Sequence, residues 1–348
     1  MSDYSIVTFQ GIGHEFHVPS TLADFYIGNQ EFTIRWYGVL IAIGFLLALL
    51  FTTRLCRKAG IDVDKFYDCV IWGTIFGVLG ARAYYVAFRW DYYSAHLGEI
   101  IRIQDGGLAI YGGILAAVLT CLVVCAIRKI RVLDVLDLAA VGFLMGQGIG
   151  RWGNFTNQEA FGVNTDLPWG MTSDKVKEYI ITHQWFFEEH GLTVSPARYV
   201  HPTFLYESLW CLLGFVILYI MFSKHRKYRG QIMLSYMVWY GVERALVEGL
   251  RTDSLYLGAT NIRISQWLSA GIAVLALILL IIQTIRYRNR PVLSVQPADD
   301  TTGDPVAKGA SDHGNEEQKS EEDEGAGRGA SVPDGGAGQD RPRDKDAR

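Results

Sequence analysis

The chain has 348 residues, half of them hydrophobic, with 37 Gly and only 9 Pro, and its mean hydropathy is +0.15. That balance argues against an ordinary soluble domain and points to a membrane protein. The net charge of −4 comes from one end: residues 291–348 hold 14 acidic and 7 basic side chains, which leaves the rest with 25 basic against 22 acidic, so the acidity carries no information about a substrate.

Residues 1–32 contain no Lys or Arg and are read as an external segment without a cleavable leader, because the first apolar stretch starts well into the chain and has no basic lead. A membrane span needs roughly 20 mainly apolar residues. About seven stretches qualify, near 33–53, 67–87, 107–127, 134–152, 203–222, 231–250 and 265–285. The predicted fold is therefore an all-α polytopic membrane protein of about seven transmembrane helices, occupying 33–290. The last span is the purest; the second, third, fourth and sixth are rich in Gly and carry Arg, Tyr, Asp or Glu, which suits helices facing protein or water rather than lipid.

Basic clusters follow alternate spans: Arg54, Arg57 and Lys58; Arg128, Lys129 and Arg131; Lys224, Arg226, Lys227 and Arg229; Arg286, Arg288 and Arg290. Lys and Arg in short flanking loops favour the cytoplasm, so the N-terminus is expected outside and the C-terminus inside. A small external head, about 153–202, then separates the fourth and fifth helices. The tail from Pro291 is low in apolar residues and rich in Gly, Asp and Glu; it is expected to be a disordered cytoplasmic appendage. The five cysteines, Cys56, Cys69, Cys121, Cys125 and Cys211, lie within or beside apolar segments without the spacing of a zinc site, and read as packing residues.

Chemistry concentrates at a few places. In the sixth span, helical spacing sets Tyr236, Tyr240, Arg244, Glu248 and Arg251 on one stripe. A charge at mid-bilayer costs roughly 2.5–3.5 kcal/mol, so this stripe either lines a polar cavity or sits near the outer interface. An Arg244–Glu248 pair that only neutralises itself is the plainer alternative. Arg151 stands at the outer end of the fourth span and Arg82 near the outer end of the second. Guanidiniums on separate helices at one level suit an anion, because Arg offers phosphate a planar fork of donors. At the outer face of a membrane, the commonest phosphate-bearing ligand is a phospholipid. His201 and Pro202 open the fifth span, where a helix-entry role and a substrate contact fit equally well. His183 and His190, in a segment of aromatic and charged residues, read as surface residues.

Taken in order, "RWYG" in the first span, "GARAYYV", "DGGLAIYGG", "GRWGNFTNQEAFG", "HPTFLYE" and "YGVERALVEGLRTD" resemble the bacterial phosphatidylglycerol–prolipoprotein diacylglyceryl transferases over roughly 33–285. Gly150–Gly162 is similar to that family's signature, G-R-x-[GA]-N-F-[apolar]-N-x-E-x-x-G. Thr156 departs from an apolar position, and Tyr111 stands where many relatives have His. The resemblance implies transfer of diacylglycerol from phosphatidylglycerol to the lipobox cysteine of prolipoprotein signal peptides, making a thioether and releasing glycerol phosphate. It also implies a multi-pass protein of the bacterial cytoplasmic membrane with its site toward the outer face. Membrane lipid is then both solvent and substrate, no nucleic acid is involved, and neither metal nor redox cofactor is needed. By matching position, Arg151 and Arg244 become the principal phosphate and transition-state residues, with Tyr111 a catalytic-site residue that positions substrate. Asn154, Glu159 and Gly162 shape the signature loop; Tyr37, Arg82, Tyr240, Glu248 and Arg251 complete the substrate cavity. The rival readings are a transporter of an anionic or lipid substrate, which calls for a polar path and often internal repeats, and an intramembrane protease. Asp68, Asp134 and Asp137 lie near cytoplasmic helix ends, which makes them poor protease candidates.

Overall fold

The computed structural model describes residues 4–293 apart from 29, 104–105, 258–259 and 261. The acidic tail from 294 lies outside the described residues. Hydropathy predicts helices alone, but the N-terminal segment forms strands. Strands β1 (Tyr4–Phe9) and β2 (Glu15–Pro19) pair antiparallel, as do β3 (Thr21–Ile27) and β4 (Gln30–Arg35), where Phe25 and Phe32 stack across the hairpin at 5.6 Å. Alternation at period two is short and weak here, so a reading tuned to twenty-residue spans passes over it.

Helix α1 (Trp36–Lys58) follows β4 directly, and α2 (Val63–Phe88) opens on Asp62, whose carboxylate accepts the Asp64 and Lys65 amides and so satisfies two orphan donors. After the one-turn α3 (Trp90–Tyr93) come α4 (Ile110–Arg128) and α5 (Val132–Asn157). The head contributes β5 (Met171–Ser173), α6 (Asp174–Thr182) and α7 (Gln184–Glu189). The chain returns through α8 (Thr203–Ile220), extended by a π turn at Met221–His225, then α9 (Gln231–Glu248) and α10 (Ile264–Arg286). Long helices thus stand at each of the seven expected spans. Six are long and apolar enough to cross a membrane; α9 carries Glu243, Arg244 and Glu248 in its C-terminal half. The protein is a helical, multi-pass membrane protein.

Burial orders the bundle. Within its apolar window α5 is 44% buried inside the protein and α10 only 11%, so α5 is central and α10 turns most of its surface to lipid. Helix α5 packs on α1, α8 and α9, α2 packs on α4, and α9 on α10. The α2–α4 contact is set by small residues, as expected where lipid removes the hydrophobic drive for helices to associate. A Cβ on Gly80 would meet Ala116 Cβ at 2.2 Å, and one on Gly112 would meet Tyr84 Cβ at 2.2 Å and Gly80 O at 2.6 Å. In the head, Phe161, Met171, Val176, Ile180, Phe187, Val194, Val200 and Phe204 form a separate core. Strand β5 pairs with β1, Phe9 opposite Met171, so the N-terminal segment is stitched into the head.

Gly112→Ala should force α2 and α4 apart and lower stability by about 1–3 kcal/mol, the usual cost of overpacking. Gly271, with nothing within 4 Å of its would-be Cβ, should accept Ala without loss. Thermal unfolding in detergent, followed for both variants, checks the contrast.

Candidate functional site

Glu207 lies in the second turn of α8 and is fully buried. An ionised carboxylate there needs cations, and three arginines from two other elements supply them. Arg151 Nη2 of α5 lies 3.2 Å from Glu207 Oε1, and both Arg244 Nη1 of α9 and Arg251 Nη1 just beyond it lie 3.6 Å from the same oxygen. Both carboxylate oxygens are buried without a hydrogen-bond partner among the described residues, so Oε1 is held by these ion pairs alone. The guanidiniums are individually anchored: Arg244 Nη2 pairs with Glu248 Oε2 at 2.5 Å, and Arg251 grips Asp253 through two bonds of 2.9 and 2.8 Å. Arg151 and Arg244 keep 18% and 19% of their side chains exposed. Each therefore has donors left for an incoming anion.

The expected pairing of Arg244 with Glu248 is present, but it does not neutralise the site, because two further guanidiniums share Glu207. Sequence reasoning missed Glu207 although it is the last residue of "HPTFLYE". Its signal was a carboxylate in the second turn of an otherwise apolar helix. Glu243, one residue before Arg244, was missed as well: it is 2% exposed and its Oε2 lies 4.0 Å from Cys211 Sγ.

Gly150–Gly162 is largely helix rather than loop. Helix α5 runs on through Asn157 and ends at Gln158, whose φ of 58° closes it in the left-handed region. Arg151 and Asn154 thereby fall three residues apart on one helical face. Asn154 Nδ2 donates to Glu159 Oε1 at 3.0 Å, Trp152 Nε1 donates to Ser208 Oγ, and Ser208 Oγ donates to Gly148 O, which locks α5 to α8. Gly162 is a close crossing point: its N–H donates to His201 O, Val163 N donates to Leu250 O, and a Cβ would meet His201 Cβ at 2.8 Å. It ties the signature to both the entry of α8 and the Arg251 turn.

Tyr37, in the first turn of α1, packs on Gly153, where a Cβ would stand 2.8 Å from its ring, and lies close enough to Arg151 and Glu159 to feel both charges. Tyr240 stacks on Tyr236 at 5.7 Å, and the Tyr236 hydroxyl accepts a hydrogen bond from Gln147 Nε2. His183 and His190 in the head are half-buried packing residues: His183 stacks on Tyr179 at 4.0 Å, and His190 lies against Tyr256 at 4.0 Å with the rings tilted by 32°. His201 Nδ1 lies 3.0 Å from the Tyr206 hydroxyl, and burial pulls its imidazole below the usual value, so it is neutral near pH 7.

Arg82 has other partners. Its Nε donates to Ile100 O, Nη1 to Gly106 O and Gly107 O, and Nη2 to Glu99 O, all at 2.7–3.0 Å, and its guanidinium lies 5.2 Å from the Tyr93 ring centre. It is 6% exposed. The expected convergence of Arg82 with Arg151 and Arg244 is therefore corrected: Arg251 is the third guanidinium, and Arg82 clamps the loop before α4. Tyr111, at the second residue of α4, is 40% exposed.

A multi-pass helical protein with a buried arginine–carboxylate cluster near one end of its bundle is the class that fold and side chains define. Residues 25–282 match the family model described as prolipoprotein diacylglyceryl transferase, and the chain belongs to that family. It is similar to the phosphatidylglycerol–prolipoprotein diacylglyceryl transferase of Finegoldia magna, 46% identical over 261 residues that cover 75% of this chain and 94% of the relative. The enzyme of the same name from Limosilactobacillus reuteri is 48% identical over 263 residues, 75% of this chain and 90% of the relative. That of Staphylococcus aureus strain MRSA252 is 38% identical over 262 residues, 75% and 89%.

Removing the hub charge tests how far the cluster depends on it. Glu207→Gln leaves three guanidiniums short of one counter-charge, and breaking a buried pair in this way costs about 3–5 kcal/mol. A markedly lower unfolding temperature and a smaller yield of folded membrane protein are expected. Unchanged stability would mean that the arginines do not need Glu207.

Proposed function

We propose that the protein transfers the diacylglyceryl group of phosphatidylglycerol to the thiol of a lipobox cysteine in prolipoproteins. The carbon–oxygen bond to phosphate breaks, a carbon–sulfur bond forms, the thiol proton is released, and glycerol phosphate leaves. The observation that carries this reading is the set of three guanidiniums held on one buried carboxylate, with Arg151 and Arg244 still partly exposed. Family membership and the names of the relatives support it.

The division of labour follows from the chemistry. Arg151 and Arg244 hold the phosphate and take up charge as it departs, the electrostatic help that often dominates such reactions. A thiol has a pKa near 8.5, and a fixed positive charge about 4 Å away is worth roughly 4 kcal/mol at an effective dielectric of 20. Even after partial cancellation by neighbouring carboxylates, that raises the thiolate fraction substantially. Glu207, Glu248 and Asp253 set the guanidinium planes, Tyr37 and Tyr240 wall the cavity, and Asn154, Glu159 and Gly162 hold the turn after α5. Tyr111 positions substrate as a hydrogen-bond donor. Arg82 acts from a distance, by ordering the loop that leads to Tyr111.

The membrane is the bacterial cytoplasmic membrane and the site faces outward. Supporting this, the basic clusters flank the C-terminal ends of α1, α4, α8 and α10. Arg151 and Arg244 lie toward the C-terminal ends of α5 and α9, the opposite side of the bundle. Single cysteines introduced at Lys227 and Arg288 should be protected from an impermeant reagent in intact cells while one at Lys177 reacts; the reverse pattern would overturn the orientation.

Purified protein incubated with labelled phosphatidylglycerol and a lipobox peptide should yield diacylglyceryl-peptide, and absence of product from well-folded protein would end the proposal. In the same assay, Arg151→Gln and Arg244→Gln should each lose about ten- to hundredfold in turnover, as expected for a charge-assisted contact worth roughly 1.5–3 kcal/mol. The Lys variants should recover part of it, because Lys keeps the charge but not the planar fork. Thermal unfolding measured alongside separates lost chemistry from lost folding; near-normal turnover in stable Gln variants would remove these residues from the mechanism.

A further inference from the structure

Three of the five cysteines meet far from the arginine cluster. Cys69 is in the second turn of α2, and Cys121 and Cys125 are four residues apart near the C-terminal end of α4. Their sulfurs form a triangle: Cys69 to Cys125 is 3.6 Å, Cys121 to Cys125 is 3.9 Å, and all three lie within 4.8 Å of one another. All are free thiols, with Cys69 and Cys125 buried and Cys121 half-buried. Packing alone accounts for one or two cysteines in an apolar seam. A closed triangle on two helices is also the donor set of a three-coordinate site.

Its size fits. For a metal–thiolate bond of about 2.3 Å and bond angles between 100° and 120°, the sulfurs of a three-coordinate complex stand about 3.5–4.0 Å apart. Charge decides which ion. The triangle belongs to the apolar core that includes Phe66, Val124 and Leu138, and Arg128, three residues beyond Cys125, is already paired with Asp68 at 2.6 Å. Three thiolates around a monovalent ion would carry −2 and around a divalent ion −1, an uncompensated charge that such a site disfavours. Around a trivalent centre the complex is neutral.

We propose that Cys69, Cys121 and Cys125 form a binding site for a trivalent thiophilic metalloid, of which arsenite is the accessible example. Arsenous acid condenses with the three thiols: three As–O bonds break, three As–S bonds form, and the thiol protons leave in three molecules of water. No electron is transferred and no charge is left in the core. Half-buried Cys121 provides the point of entry, and the complex staples α2 to α4 at the end of the bundle opposite Arg82 and Tyr111.

The test uses full-length reduced protein in detergent with arsenite as the probe. After desalting, one arsenic per chain should remain, X-ray absorption should show three sulfur neighbours and no oxygen, and the unfolding temperature should rise. Cys69→Ser and Cys125→Ser should lose the retained arsenic, while Cys56→Ser and Cys211→Ser should keep it. No retained arsenic, or a two-sulfur shell in the unmodified protein, would overturn the proposal whether or not the variants fold. Undiminished retention by Cys69→Ser or Cys125→Ser would do the same, and displacement of arsenic by equimolar Zn²⁺ would refute the charge argument.

Discussion

A carboxylate cannot stay ionised in a bilayer-spanning helix without a partner, and Glu207 in α8 has three. The cost of taking one charge out of water, several kcal/mol even after relaxation, fixes much of the geometry around it. Arg151, Arg244 and Arg251 reach the same oxygen from α5 and from the end of α9, so these elements must converge on α8. Each arginine then needs orienting, which Glu248 and Asp253 do for two of them. A buried acid thus assembles a cationic surface, and the charge that would be expensive alone becomes the means of presenting donors to an anion.

Convergence of that kind requires helices that pass closely, and the glycines provide it. Gly153 admits the ring of Tyr37, Gly148 admits Leu212, and Gly162 lets the chain after α5 run against both His201 and Leu250. The same device far from the cluster brings α2 and α4 together. There Arg82 spends its donors on four carbonyls of the connecting loop. Small residues buy proximity, and buried arginines then fix what has been brought near.

At the other end of the bundle the same electrostatics serves packing alone. Asp137 accepts from Arg226 Nε and from the amides of Gly230 and Met233, and Asp134 pairs with Arg226 and Arg229. These acids, which an intramembrane protease would need free, are saturated by the turn that joins α8 to α9. Glu207 differs. Asp137 is hydrogen-bonded on both oxygens, whereas neither oxygen of Glu207 has a hydrogen bond among the described residues, and its Oε1 is held only by ion pairs to three guanidiniums.

The spans were legible because twenty-residue apolar runs have few alternative explanations, and the motif order carried the arginines. What escaped has physical causes. The strands of residues 4–35 are short and pair partly with the distant Met171–Ser173, a register that local pattern does not encode. Gly150–Asn157 looked like a loop because polar residues and glycine mark turns in water; at the end of a packed membrane helix they continue the helix. Arg82 stands apart from the cluster that Arg251 joins because topology gives the level of a residue but not its azimuth. Arg82 faces the carbonyls of Glu99, Ile100, Gly106 and Gly107, while the backbone bridge of Arg251 to Gly162 turns it inward. Glu207 was hidden for the opposite reason: hydropathy averages across a window, and one glutamate scarcely changes an apolar helix. The lone charge that averaging discards is the one that three guanidiniums are built around, so in a membrane helix the residue that most lowers the hydropathy of its turn deserves to be read first.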